Sequence, residues 1–315
     1  MRKIVVGLLT IFVFHASVQA ADKIRIGIPS TVGQFMTLPL AQKKGFFKEE
    51  EIDAEIVQIS GPPLRAAIAS GELDYSASTG GMVRLAISGM PVKVVACFVP
   101  APMPSLIARP EYKSILELKG KTIGINTFGG SSDILARMIV KHFGLDPERE
   151  IRFVAARAEA RFAMLSQGLI DATVVGPPFD FKGSKLGFNV LVRSYELFTY
   201  PESGLSTNIK RTKERPDEVK RVIRAGIRAN RYIRANREGT IQFLIGWLRV
   251  DREEATATYD SFVKVFNDDG SMPEEGLRLV IEDARKAAKV NREVALSEVL
   301  DLSILREAQK ELGIK

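Results

Sequence analysis

Residues 121–140 read KTIGINTFGGSSDILARMIV, and the rest of the chain is organised around them. Residues 122–126 alternate and are rich in β-branched side chains, which predicts a short buried strand. Residues 127–132 hold two glycines and three hydroxyl residues, with no strong helix former. From Asp133 onward, Ile134, Leu135, Met138 and Ile139 form an apolar stripe at helical spacing. Strand, small-residue loop and helix follow one another directly. Such a loop gathers backbone N–H groups and the positive end of a helix dipole in one place. It is a ready site for a carboxylate, sulfonate or phosphate group. The plainer alternative is a helix capped by Ser131 or Ser132, with glycines that merely turn the chain. At this point both remain open.

A second copy favours the first reading. Ile26-Gly27-Ile28 matches Ile123-Gly124-Ile125, 97 positions on, and Gly71-Glu72-Leu73-Asp74 matches Gly168-Leu169-Ile170-Asp171 at the same offset. Both members of the second match end an apolar helical run and enter a strand, at residues 75–79 and 172–175. Each copy reads strand, polar loop, helix, strand, helix, strand, which is half of a parallel α/β sheet. Two facing halves set two loop-and-helix ends across a cleft.

Outward from this centre, Arg2 and Lys3 precede an apolar run over residues 4–14 and the small residues around Val18-Gln19-Ala20. The run is too short to span a bilayer, and the pattern predicts a signal peptide over 1–20. No cysteine follows it, so a lipid anchor is not expected. Cleavage leaves roughly 295 residues, enough for two domains, in a soluble, exported chain. The formal net charge of +7 becomes +5 once Arg2 and Lys3 are gone, a mild basic excess. Cys97 is the only cysteine, so an internal disulfide is excluded and core packing is expected. His142 is the only histidine after the signal peptide, which argues against a histidine metal site. No cofactor is expected.

The first lobe is predicted to open with a strand over 24–28 and a loop over 29–36. A strand over 52–59, a helix begun by Gly61-Pro62-Pro63, and a hydroxyl-and-glycine helix entrance at Ser78-Thr79-Gly80-Gly81 follow. A strand over 92–99 closes this part. Residues 105–109 and 204–209 are extended and are expected to be the two hinge crossings. That assigns 21–108 with 204–315 to lobe one and 109–203 to lobe two. Residues 216–237 put Val219, Val222, Ile223, Ile227 and Ile233 on one helical face and many arginines elsewhere. A solvated basic face is favoured there over a membrane or nucleic-acid surface, because hardly any aromatics interleave with the charges.

These residues carry a resemblance. The stretches LAQKKGFFKEEEIDAEI (40–56), AAIASGELDYSAST (66–79), ISGMPVKVVA (87–96), LKGKTIGI (118–125) and GSSDILARMIVKHFGLD (130–146) resemble the solute-binding proteins of bacterial ABC importers. The branch is the one that handles alkanesulfonates, taurine, nitrate and thiamine-pyrimidine precursors. The resemblance implies an α/β, two-lobe periplasmic-binding-protein type II fold with two hinge crossings. It also implies a monomer in the periplasm that captures a small anionic or polar-headed organic solute and delivers it to an inner-membrane ABC permease. The ligand contacts it implies are Thr31, Gln34 and Phe35 in the first loop; Ser78, Thr79 and Gly80; Thr127, Gly130, Ser131 and Ser132; and Phe179 and Asp180. In this reading 127–132 hold the polar end, Gln34, Ser78 and Thr79 answer from the other lobe, and Phe35 and Phe179 cover the apolar part. Arg109, Arg157 and Arg161 are candidate counter-charges.

Enzyme readings are weaker. There is no G-x-S-x-G elbow, no phosphate loop ending in Gly-Lys-Ser/Thr, and no plausible Ser-His or Cys-His pair. Asp133 and Asp180 keep a cleft enzyme open as an alternative. A ligand-sensing module for a membrane receptor is another.

Overall fold

The structure is a computed structural model that describes residues 21–314. The expected signal peptide therefore lies outside the described residues. Ten strands form two five-stranded sheets. The strands are β1 (Asp22–Ile28), β2 (Ile52–Gln58), β3 (Tyr75–Ser78), β4 (Val92–Val99), β5 (Ser105–Ala108), β6 (Thr122–Ile125), β7 (Arg152–Ala155), β8 (Ala172–Val175), β9 (Asn189–Arg193) and β10 (Ser203–Asn208). The first sheet has the order β2-β1-β3-β10-β4 and the second β7-β6-β8-β5-β9. In each, three parallel strands are followed by an antiparallel strand that comes from the far side of a crossing. The fold is the two-lobe α/β architecture of periplasmic binding proteins.

The sequence repeat extends into the register. Ile26 pairs with Tyr75 and Gly27 with Ser76; at the same offset Ile123 pairs with Ala172 and Gly124 with Thr173. The aspartates that end the second match have one job twice. Asp74 accepts the Arg25 backbone N–H at 2.7 Å, and Asp171 accepts that of Thr122 at 2.8 Å. Gly27 and Gly124 are glycine because a Cβ would lie 2.7 Å from the Leu64 side chain in one lobe and 2.8 Å from that of Ile170 in the other.

The crossings differ from expectation. Ser105–Ala108 pairs with both β8 and β9 and sits inside the second sheet, and Ser203–Asn208 pairs with β3 and β4 inside the first. The chain instead crosses at 100–104 and returns at 199–202. There the two segments run side by side, Tyr200 N–H donating to Pro100 O at 3.0 Å and Glu202 N–H to Val99 O at 2.9 Å. An extended run of apolar residues reads the same whether it joins a sheet or leaves one, so the boundary was set a few residues late.

The C-terminal helices pack on the first sheet. Val219, Val222, Ile223 and Ile227 join Ile24, Ile26, Val95 and Phe98 in one core. The arginine face of the helix Pro216–Ala235 is occupied by acids. Arg221 pairs with Asp22, Arg224 with the buried Glu50, and Arg228 with Glu49 at 3.0 Å. Those cations fasten the helix to the start of β1 and to residues 49–50. Among the described residues no helix is long and apolar enough to cross a membrane.

Candidate functional site

The lobes meet over a cavity into which water-sized spheres fit through about 60 Å³. Lobe one contributes Gln34, Phe35 and Ser78 to its wall, lobe two contributes Thr127, Gly130, Ser131, Ser132, Arg161 and Gly176, and the return crossing contributes Glu202. Contacts between the lobes hold the cavity shut. Gly33 N–H donates to Pro177 O at 3.2 Å, and Lys182 and Lys185 pair with Glu254 and Glu253 at 3.2 and 2.8 Å.

The wall of lobe two is built by the loop after β6. The helix Ser131–His142 begins two residues before the expected Asp133, with Gly130 at its N-cap and no side-chain cap. Neither serine caps the helix. Ser132 Oγ accepts the Asn126 N–H at 2.7 Å, and Asp133 accepts the Gly129 N–H at 2.7 Å and pairs with Arg137 at 2.6 Å. Gly130, Asp133 and Ile134 N–H groups bond within the loop and first turn. That leaves the N–H groups of Ser131 and Ser132 as the donors at this helix start without a protein acceptor among the described residues.

Arg161 supplies the charge. It rises from the helix Ala158–Ser166, is 4% exposed, and donates to the carbonyls of Val174 at 2.6 Å and Gly124 at 3.4 Å. Its Nε has no partner among the described residues. Burial pulls the guanidinium down to about 10, so it stays cationic at neutral pH. A buried charge without a counter-ion is expensive, and a bound anion is the natural remedy. The other two candidate counter-charges are placed elsewhere. Arg109 pairs with Asp171 at 3.1 Å, and Arg157 is an exposed N-cap residue.

Glu202 is the residue that sequence reasoning missed. It is 1% exposed, its Oε2 has no partner among the described residues, and burial pushes the carboxyl up to about 8 although Gln34 lies beside it. With its carboxyl so raised, it is an acid that holds its proton at neutral pH. Gln34 Oε1 is also buried without a donor. Nothing local in the sequence marks Glu202; its burial comes from the two crossings packing together.

Five of the expected contacts stand off the cavity wall. Thr31 faces outward, its hydroxyl donating to Gln58 at 3.1 Å. The helix Thr79–Ile87 starts at Thr79, which turns that side chain into the core, while Ser78, the last strand residue, faces the cleft. Gly80 is a lobe contact, where a Cβ would lie 2.9 Å from the Tyr200 hydroxyl and 3.3 Å from Ile134. Residues 179–185 are helical, so Phe179 swings behind the wall onto Phe162, ring centroids 5.5 Å apart. Asp180 is half-buried under the start of β5, where its carboxylate accepts the Phe181 N–H at 2.9 Å and lies 3.5 Å from the Ser105 hydroxyl. Burial lifts that carboxyl to about 6.

The family described as NMT1/THI5 like matches residues 33–239. A protein of Brucella abortus named as a binding protein is 29% identical over 249 residues, 76% of each chain. The periplasmic nitrate-binding protein NrtA from Synechocystis superposes with a TM-score of 0.80 at 16% identity, covering 93% of this chain and 89% of that one. The alkanesulfonate-binding protein SsuA from Xanthomonas axonopodis, bound to MOPS, superposes with a TM-score of 0.75 at 16% identity, covering 92% and 98%.

Proposed function

The chain belongs to the NMT1/THI5-like family, and we propose that the protein is the exported solute-binding component of an ABC importer. It captures a small anionic or polar-headed organic solute between its lobes and hands it to an inner-membrane permease. The observation that carries this reading is Arg161, a buried cation on the wall of an interlobe cavity with no salt-bridge partner among the described residues. The N–H groups of Ser131 and Ser132 add neutral donors beside it. The names of the related proteins point the same way, towards binding rather than catalysis, and towards oxyanions.

The two carboxylates that kept an enzyme in view are engaged otherwise. Asp133 braces its own loop and Arg137, and Asp180 lies behind the wall. We assign the polar end of the solute to Thr127, Gly130, Ser131, Ser132 and Arg161, with Gln34, Phe35 and Ser78 closing over it by a hinge motion at 100–104 and 199–202.

A thermal-shift screen against small anions, sulfonates, pyrimidines and aromatic carboxylates tests the reading. A true ligand at about 100 times its Kd stabilises the fold by about 2.7 kcal/mol. The shift is expected to vanish in Arg161→Gln. No shift with any anion, or a shift indifferent to Arg161, would sink it.

A further inference from the structure

The helix Phe179–Lys185 belongs to lobe two and touches lobe one at its start, middle and end. Just before it, Pro177 O accepts the Gly33 N–H. The Phe179 ring packs on the lobe-two cluster of Ile107, Leu165, Ile170 and Val175 and also on the core of lobe one. Lys182 and Lys185 then reach Glu254 and Glu253, both in the first turn of the lobe-one helix Arg252–Phe262. None of these five side chains lines the solute cavity. The lobe plan itself does not ask for lysine here, since Leu85 and Ser88 stand at the same places 97 residues earlier.

The lobes also meet in a contact of another kind. Ile134 of lobe two is fully buried in one cluster with Val83, Ile87 and Leu277 of lobe one and with Tyr200 of the return crossing. Parting that contact exposes apolar surface to water. The two ion pairs reach solvent already, and water readily replaces either partner of such a pair. The lobes therefore swing about the dry contact and the crossings and come apart at the charged one.

We infer that the helix Phe179–Lys185 is the catch of the cleft: by pairing with Glu253 and Glu254, its lysines set how readily the lobes close, and so the affinity for the solute, without touching the solute. This rests on the solute-binding reading and goes beyond it, because it puts control of affinity outside the binding wall. The measured affinity of a protein that binds in one conformation scales with the fraction that adopts it. Weak, exposed pairs suit a catch, since they bias closure and still let go. The neighbouring charges leave the pairs undisturbed. Arg252 is taken up by Glu238, and the Asp251 carboxylate caps its own helix at the Glu254 N–H.

The test is a charge swap across the catch in the mature chain. Three variants are compared with the wild type: Lys182→Glu with Lys185→Glu, Glu253→Lys with Glu254→Lys, and all four changes together. Urea unfolding verifies that each is folded. Calorimetry with ethanesulfonate and nitrate reads affinity, and small-angle X-ray scattering reads the radius of gyration. Each double reversal should weaken binding by about tenfold, a gap of about 1.4 kcal/mol, and enlarge the radius, and the fourfold swap should restore both. The glutamate reversal is the sharper arm. It adds positive charge, which by itself favours an anion, so weaker binding there reports closure. Reversals that bind and scatter as the wild type does, or losses that the fourfold swap does not repair, would overturn the catch and leave the solute-binding reading standing. If the folded wild type binds neither anion, the solute-binding reading fails on these probes and scattering alone decides the catch. Equal radii in all four proteins then overturn it, and a larger radius in both reversals that the swap corrects upholds it.

Discussion

The two lobes follow one plan at an offset of 97 residues and differ most tellingly at a single pair of positions. Leu64 in lobe one and Arg161 in lobe two occupy the same site, each packed on the glycine of the first strand, Gly27 or Gly124. Leu64 is 3% exposed and Arg161 is 4%. In lobe one the position completes an apolar cluster with Ile68 and Leu73. In lobe two it holds a charge that the lobe itself does not neutralise. Where the copies agree, the reason is packing or backbone satisfaction, as with the glycines and with Asp74 and Asp171. At this pair the copies part, and both Leu64 and Arg161 line the cleft. The division of labour follows: lobe one carries the C-terminal helices and most of the core, and lobe two carries the anion-seeking wall.

The largest expected effect concerns the acid between the lobes. The Glu202 carboxyl is lifted from 4.5 to about 8, so across that window the native state keeps a proton that the unfolded chain releases. Stability of the empty protein therefore falls as pH rises from 4.5 to 8. Asp180 adds the same sign between 3.8 and about 6. Glu202→Gln should flatten the curve and gain on the order of a few kcal/mol at pH 8, read by urea unfolding at pH 5 and pH 8. A wild-type protein more stable at pH 8 than at pH 5 would remove Glu202 from its buried, unpaired setting.

Next come the matched glycines. Gly27→Ala and Gly124→Ala both force a Cβ into a neighbour, and each should cost about 1–3 kcal/mol. Similar costs would support the repeat as a packing unit; a neutral result at either would break the equivalence of the lobes there. The smallest effect is at the helix entrance. Ser131→Ala with Ser132→Ala removes two hydroxyls but keeps both backbone N–H groups, so binding should weaken by only about tenfold. Titration with whichever anion the thermal screen identifies decides it, and unchanged affinity would restrict the serines to a structural role.

Much of this was legible beforehand. The strands Val92–Val99 and Ala172–Val175 have the expected bounds because apolar, β-branched runs between stops, Pro91 and Pro100 for one and Asp171 and Gly176 for the other, admit few alternatives. The loop at 127–132 stands on the cleft because strand-loop-helix order puts it at the carboxyl edge of the sheet. What failed was whatever depends on the other lobe. The crossings were misplaced because extended backbone does not announce its partners. Phe179 and Asp180 miss the cleft because a helix starts at Phe179, directly after Pro177-Pro178, and turns both away from it. Arg161 stood among three arginines that sequence alone ranks equally. Setting it against Leu64 at the repeat offset would have separated it from Arg109 and Arg157. Glu202 had no such internal comparison.

The central claim is that the unpaired charge of Arg161 receives the anionic end of the solute, and Arg161→Leu tests it by giving lobe two the residue of lobe one. Calorimetric titration with ethanesulfonate and nitrate, alongside urea unfolding, is the measurement. The account predicts a folded protein of equal or greater stability, since a buried charge is exchanged for an apolar side chain, with anion affinity down by about 100-fold or more. A folded Arg161→Leu protein that binds these anions as the wild type does would contradict it.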